Sequence, residues 1–208
     1  MSRDNVRTVL TQERRDLAAL LRELSPEEWE AESLCTRWRV RDVVAHLLYE
    51  ATPIWRYSYE VIRARGSEKK LNDMYVGRAL DWPTDRLITA FESTIAGGLG
   101  AKLLPYMSLT DLLIHHQDIR RPLGRPRTVP ESTLRTVLTH PDPFIGSRQR
   151  MQGIRWVATD IDWAYGSGPE ILGPGEAIVM AVAARPSALP ELSGPGVARL
   201  LPRLPPVR

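Results

Sequence analysis

A single cysteine, Cys35, among 208 residues excludes an internal disulfide and fits a reducing, cytoplasmic setting. Uninterrupted apolar residues never approach the roughly 18 positions that a membrane helix needs. Residues 1–11 are polar and charged, with neither the apolar segment nor the small-residue cleavage site of a secretory leader. No membrane partner is therefore expected. Basic runs with interleaved aromatics are missing as well. The 28 Lys and Arg are spread along the chain against 25 Asp and Glu, for a formal net charge of +3, so nucleic acid is not an expected partner. There is no internal repeat, no low-complexity tract and no Gly-x-Ser-x-Gly elbow of a hydrolase. Gly166-Ser167-Gly168 lacks the lysine of a phosphate-binding loop and reads as a hairpin turn. What is left is the composition of an ordinary globular protein, 43% apolar and 25% charged, long enough for one good core or for a domain with a smaller appendage.

Helical periodicity dominates the first 125 residues. Val6, Leu10, Leu17, Leu20, Leu21 and Leu24 recur at steps of three and four and predict a helix over 4–23. Ser25-Pro26-Glu27-Glu28 has capping-box spacing with proline at the first helical position, which marks a short turn holding Trp29. A second long helix is expected over 40–65, kinked at Pro53. Residues 66–83 are polar and turn-rich. A third helix follows over 84–96, ended by Gly97-Gly98, and a fourth over 99–120, closed by Pro122-Leu123-Gly124. Beyond Arg125 the texture changes to short strands, 154–159 and 161–165, with Trp156 and Trp163 as anchors, then a helix over 176–185 and a loose, proline-rich end. The expected architecture is a mainly α four-helix bundle over 1–125 with a small C-terminal α+β region over 126–208.

The fourth helix carries the chemistry. Positions 108, 111, 115 and 118 share one face, and that face holds Asp111, His115 and Asp118 where packing favours aliphatics. Burying such groups without partners costs on the order of 2 kcal/mol or more each. A divalent cation would satisfy them, and His46 on the second helix would complete a set of two imidazoles and a carboxylate, the donors of open catalytic sites. Zinc comes first, with nickel, iron or manganese accepting the same donors. Asp42 and Asp118, one turn from His46 and His115, are candidates to orient the imidazoles. The plainer reading makes each His–Asp pair a core polar pair. His116 points about 100° away from His115 and reads as a surface residue or a supporting one. Glu50 reads as solvated, His140 as a loop residue and Cys35 as a small buried filler, with a nucleophile as its alternative. Arg120, Arg121 and Arg125 complement the helix dipole or, for Arg120 and Arg121, hold an acidic group of a ligand.

The stretches 38–47 (Trp-Arg-Val-Arg-Asp-Val-Val-Ala-His-Leu) and 111–124 (Asp-Leu-Leu-Ile-His-His-Gln-Asp-Ile-Arg-Arg-Pro-Leu-Gly) resemble the maleylpyruvate isomerase family of mycothiol-dependent enzymes, within the DinB-like superfamily. The resemblance continues through 157–163, 166–169 and 173–174. It implies a DinB-like four-helix bundle with a small C-terminal region, and a metal held by His46, Asp111 and His115. The family's acidic ligand is usually Glu, and here it is the shorter Asp111. Arg39 stands where a capping Thr or Ser is common, and Ala183-Ala184-Arg185 where a Gly-Arg is common. The C-terminal region reads as far shorter than in the full-length isomerase. The implied activity is metal-dependent isomerisation or thiol transfer, using mycothiol on a small electrophilic substrate, with a homodimer as an admitted assembly. The alternative is a non-catalytic metal-binding sensor or interaction protein.

Overall fold

The structure is a computed structural model that describes residues 1–205. Its described residues form two compact units, 1–126 and 127–205. In the first, α1 (Arg3–Glu23) starts where the Ser2 side chain accepts from the Asn5 amide at 3.3 Å, and it buries Val6, Leu10, Leu17, Leu20 and Leu21. In α2 (Pro26–Glu30) both halves of the capping box form between Ser25 and Glu28, and Trp29 is buried. Arg39 precedes α3 (Val40–Leu47) without supplying a side-chain acceptor. Instead Asp42 takes the Arg39 amide at 2.9 Å. A helix opening on arginine is thus capped by its own third residue.

The long helix expected over 40–65 is broken rather than kinked. α3 ends at Leu47, a 3-10 turn spans Leu48–Ala51, and α4 (Ile54–Arg63) begins after Pro53. The proline ring drives the preceding residue out of helical space, and Thr52 is extended at φ −86°, ψ 130°. Residues 66–83, read as turns, hold a helix, α5 (Glu68–Arg78), capped by Ser67. Tyr75 is its one buried residue, so it lacks the apolar stripe by which helices are recognised. α6 (Thr84–Glu92) buries Leu87 and Phe91. The last predicted helix is two, α7 (Leu99–Leu103) and α8 (Pro105–Arg120), divided at Leu104 (φ −137°, ψ 61°) before Pro105. α1 packs on α8 and α6, and α3 packs on α6 and α8. This closes four helices around a common core, the bundle that the apolar spacing predicts.

In the second unit the described residues form α9 (Glu131–Thr139), α10 (Ser147–Met151), strands β1 (Arg155–Ala158), β2 (Ala164–Tyr165) and β3 (Glu170–Gly173), α11 (Gly175–Val182) and α12 (Val197–Leu200). The sheet order is β2-β1-β3, with β1 antiparallel to β2 (Trp156 opposite Tyr165) and parallel to β3 (Trp156 opposite Ile171). The Gly166-Ser167-Gly168 turn is therefore not a hairpin, because it joins two strands that flank a third. Gly166 and Gly168 take φ +80° and +125°, and a Cβ there would meet the Ile154 and Gly153 carbonyl oxygens at 2.3 and 2.4 Å. Only glycine fits such backbone. Trp156 is fully buried beneath α11, as an anchor should be. The proline-rich end lies partly outside the described residues.

Candidate metal centre

The inward face of α8 meets α3 at one cluster. His115 Nε2 lies 3.4 Å and His46 Nε2 3.7 Å from Asp111 Oδ1. These three donor atoms fall within 4.8 Å of one another. The neighbours fix which atoms face inward. The Tyr49 hydroxyl donates to Asp111 Oδ2 at 3.1 Å, leaving Oδ1 toward the imidazoles. His115 Nδ1 lies 3.0 Å from Asp118 Oδ2, and Asp118 is wholly buried. A proton on that nitrogen leaves Nε2 with its lone pair aimed at the cluster. The Trp38 ring lies 5.4 Å from His46 and 6.5 Å from His115, covering one side.

Within this cluster His46 is anomalous. It is 8% exposed, and both ring nitrogens are buried without a hydrogen-bond partner among the described residues. An imidazole has a donor and an acceptor whichever tautomer it adopts, and leaving both unmet is a cost folded proteins rarely carry. A cation would satisfy the lone pair. Ligands about 2.0–2.2 Å from a tetrahedral cation stand about 3.4 Å apart, close to the 3.4 and 3.7 Å separations found here. Burial pushes the Asp111 carboxyl up, but the two imidazoles outweigh it and hold the group well below the carboxylate range. Burial pushes His115 down, and Cys35, Asp111 and Asp118 together hold it well above the usual imidazole value. The Asp111 carboxylate and its surroundings thus attract positive charge, whether a proton on His115 Nε2 or a cation in its place.

Other expected residues stand elsewhere. Asp42 does not support His46: Oδ2 accepts from the Arg39 amide and from Arg39 Nε at 3.0 Å. Glu50 is not solvated but buried, 3.0 Å from Arg14 Nη2. His116 is not at the surface. It is wholly buried, with Nδ1 2.8 Å from Glu13 Oε1, and Arg120 Nε donates to its Nε2 at 2.8 Å. Arg120 also donates to the Arg125 carbonyl at 3.2 Å, so its guanidinium serves the fold rather than a ligand. Arg121 caps the C-terminal end of α8, its amide donating to the Gln117 carbonyl at 3.0 Å. His140 follows α9 with Nδ1 2.9 Å from the Thr136 carbonyl. Replacing His116 by alanine is expected to leave metal content unchanged while costing about 1–3 kcal/mol of stability, since Glu13 and Arg120 lose a buried partner. Metal analysis beside a denaturant titration checks both halves.

The structure gives Cys35 a different place from the one its sequence context suggests, and it adds Tyr49. Cys35 donates through Sγ to Asp118 Oδ2 at 3.0 Å and lies 3.5 Å from His115 Nδ1. It backs the carboxylate that orients His115, and it is half-buried rather than core filler. Tyr49 was invisible as an Asp111 partner, although its spacing of three from His46 places both on one side of the chain.

Residues 10–79 match the family described as Mycothiol maleylpyruvate isomerase N-terminal domain. No curated protein matches the chain. Among solved structures it is similar to the mycothiol-dependent maleylpyruvate isomerase, at 16% identity and a TM-score of 0.65, with 94% of this chain and 93% of that chain covered. A histidine-to-alanine variant of that isomerase is similar at 15% identity and a TM-score of 0.64, with the same coverage. Coverage this even corrects the expectation of a far shorter C-terminal region.

Proposed function

We propose, from the maleylpyruvate isomerase fold of this chain and its His46–Asp111–His115 cluster, that the protein is a metal-dependent enzyme using a small thiol, mycothiol in the first instance, on an electrophilic small molecule. The observation that carries this reading is the orphaned Nε2 of buried His46, 3.7 Å from Asp111 Oδ1 and within 4.8 Å of a donor atom of His115. Zinc is the first choice of cation, with nickel, iron or manganese sharing the donor set. Three protein donors leave one position of a tetrahedral site open, the arrangement of catalytic rather than closed structural sites.

A divalent cation here would supply the acidity that keeps a thiol, ordinarily of pKa about 8.5, ionised at neutral pH. The remaining work falls to the chain. Asp118 holds the His115 tautomer, with Cys35 behind it, and Tyr49 turns Asp111 so that one oxygen faces the donors. Trp38 shields the rings from water. Sulfur adding to a conjugated carbon–carbon double bond, rotation about the resulting single bond, and departure of the same sulfur isomerises cis to trans. Displacement of a leaving group by sulfur transfers the thiol instead. Metal analysis of the purified protein, followed by maleylpyruvate turnover with mycothiol before and after chelation, tests the proposal. Stoichiometric metal with chelator-sensitive turnover supports it, and metal-free protein with full turnover defeats it. Replacing Asp118 by alanine is expected to weaken metal affinity about tenfold to a hundredfold, read by competition with a chromogenic chelator. Unchanged affinity would remove Asp118 from the site.

A further inference from the structure

Ala45 of α3 and Leu48 of the 3-10 turn after it line a cavity of about 470 Å³, whose other lining residues include Arg56 of α4, Arg78 of α5 and Arg86 of α6. That volume lies in the range of small-molecule sites, about 300–1,000 Å³. Its wall is apolar, with Ala79 and Ala90 beside Ala45 and Leu48. Its charge is unbalanced. Glu60, buried at 3% exposure, pairs with both Arg56 (Nε–Oε1, 3.2 Å) and Arg78, and also accepts the Tyr75 hydroxyl at 2.5 Å. Despite burial, Tyr75 and Arg78 hold the Glu60 carboxyl below its ordinary range, so it stays anionic. One carboxylate therefore answers two of the three guanidiniums.

The third has none. Arg86 lies 3.7 Å above the centre of the Trp82 ring, and no hydrogen bond or ion pair engages its guanidinium among the described residues. Stacking on an aromatic face holds a guanidinium plane while leaving its edge N–H donors available. An isolated surface arginine would signify little. Here a stacked one borders a concave, apolar-walled space together with two more. Arginine forks match oxyanions bidentately, most directly a carboxylate.

We propose that this cavity binds a small organic carboxylate, its head group on Arg86 and the Arg56–Arg78 pair and its apolar body against α3, at a site separate from the metal centre. Octanoate and its neutral counterpart 1-octanol are suitable probes for isothermal titration calorimetry on the full chain. One octanoate is expected to bind per chain. Affinity should fall about tenfold for 1-octanol and about tenfold for Arg86→Gln, a substitution at an exposed position whose intact fold far-UV circular dichroism would verify. Affinity should also fall as salt is raised and stay within about twofold after metal is chelated. Three results would each overturn the proposal: no saturable octanoate binding, Arg86→Gln binding octanoate as the unaltered chain does, or loss of binding on chelation, which would put the carboxylate at the metal centre.

Discussion

Alanine at His115 is expected to lower the metal content of the purified protein from about one equivalent to below about a tenth, and to abolish thiol-dependent turnover with it. His115 is the residue on which two sets of contacts converge. Its Nε2 is one of three donors facing a common point, 3.4 Å from Asp111 Oδ1. Its Nδ1 is held 3.0 Å from Asp118, which in turn takes the Cys35 thiol. Removing a supporting contact costs a metal site about tenfold to a hundredfold, and removing a donor together with its support must cost more. A linked result follows in stability. A cation that binds only the folded chain stabilises it by about 4 kcal/mol when present at a thousand times its dissociation constant. Chelation should therefore lower the melting temperature of the unaltered protein and leave that of His115→Ala where it was. Full metal occupancy in the variant would refute the donor set, because no other described donor occupies the Nε2 position.

The parts of this arrangement that were legible in the sequence are those fixed by local periodicity. The Val6 to Leu24 stripe specified α1 almost to the residue, and Asp111 with His115 could be read as a pair because positions i and i+4 of a helix share a face. Placing His46 beside them needed only the further expectation that bundles bring side chains of facing helices together. What the pattern hid was decided by tertiary contact or by proline. α5 carries charge on most sides and so lacks the apolar stripe that announces a helix. Pro53 and Pro105 each stand inside a continuous apolar stripe, and periodicity outweighed the backbone rule that ends a helix before proline. Cys35 reaches Asp118 from the loop between α2 and α3, a juxtaposition that no spacing announces. Asp42 escapes the pattern for the opposite reason, since a residue one turn from His46 can as well turn back to cap its own helix, and Arg39 leaves that cap vacant.

Glu50 was hidden in the same way, and alanine there is expected to cost about 3–5 kcal/mol, the penalty for stranding one member of a buried ion pair. The side chains of Arg14 and Glu50 are 2% and 5% exposed and meet at 3.0 Å. Each has further work: Arg14 donates to the Thr94 carbonyl at 2.7 Å, while Glu50 accepts the Gly100 amide at 2.8 Å and the Ser108 hydroxyl. The carboxylate thereby ties α1, the turn after α3, the start of α7 and the first half of α8. Gly98 and Gly100 are small for this reason, since a Cβ at either would stand 2.2 or 2.6 Å from a Glu50 oxygen. Urea denaturation of Glu50→Ala, Arg14→Met and the Arg14→Met/Glu50→Met pair separates the contributions. Each single change should be costly and the double change much less so, because it leaves no charge unpaired. A loss below about 1 kcal/mol for Glu50→Ala would mean that water reaches the pair. Ser108 lies one turn before Asp111 on the same helix face, so the single variant should also bind metal more weakly, whereas a destabilisation that spares metal affinity would show that α8 keeps its register without Glu50.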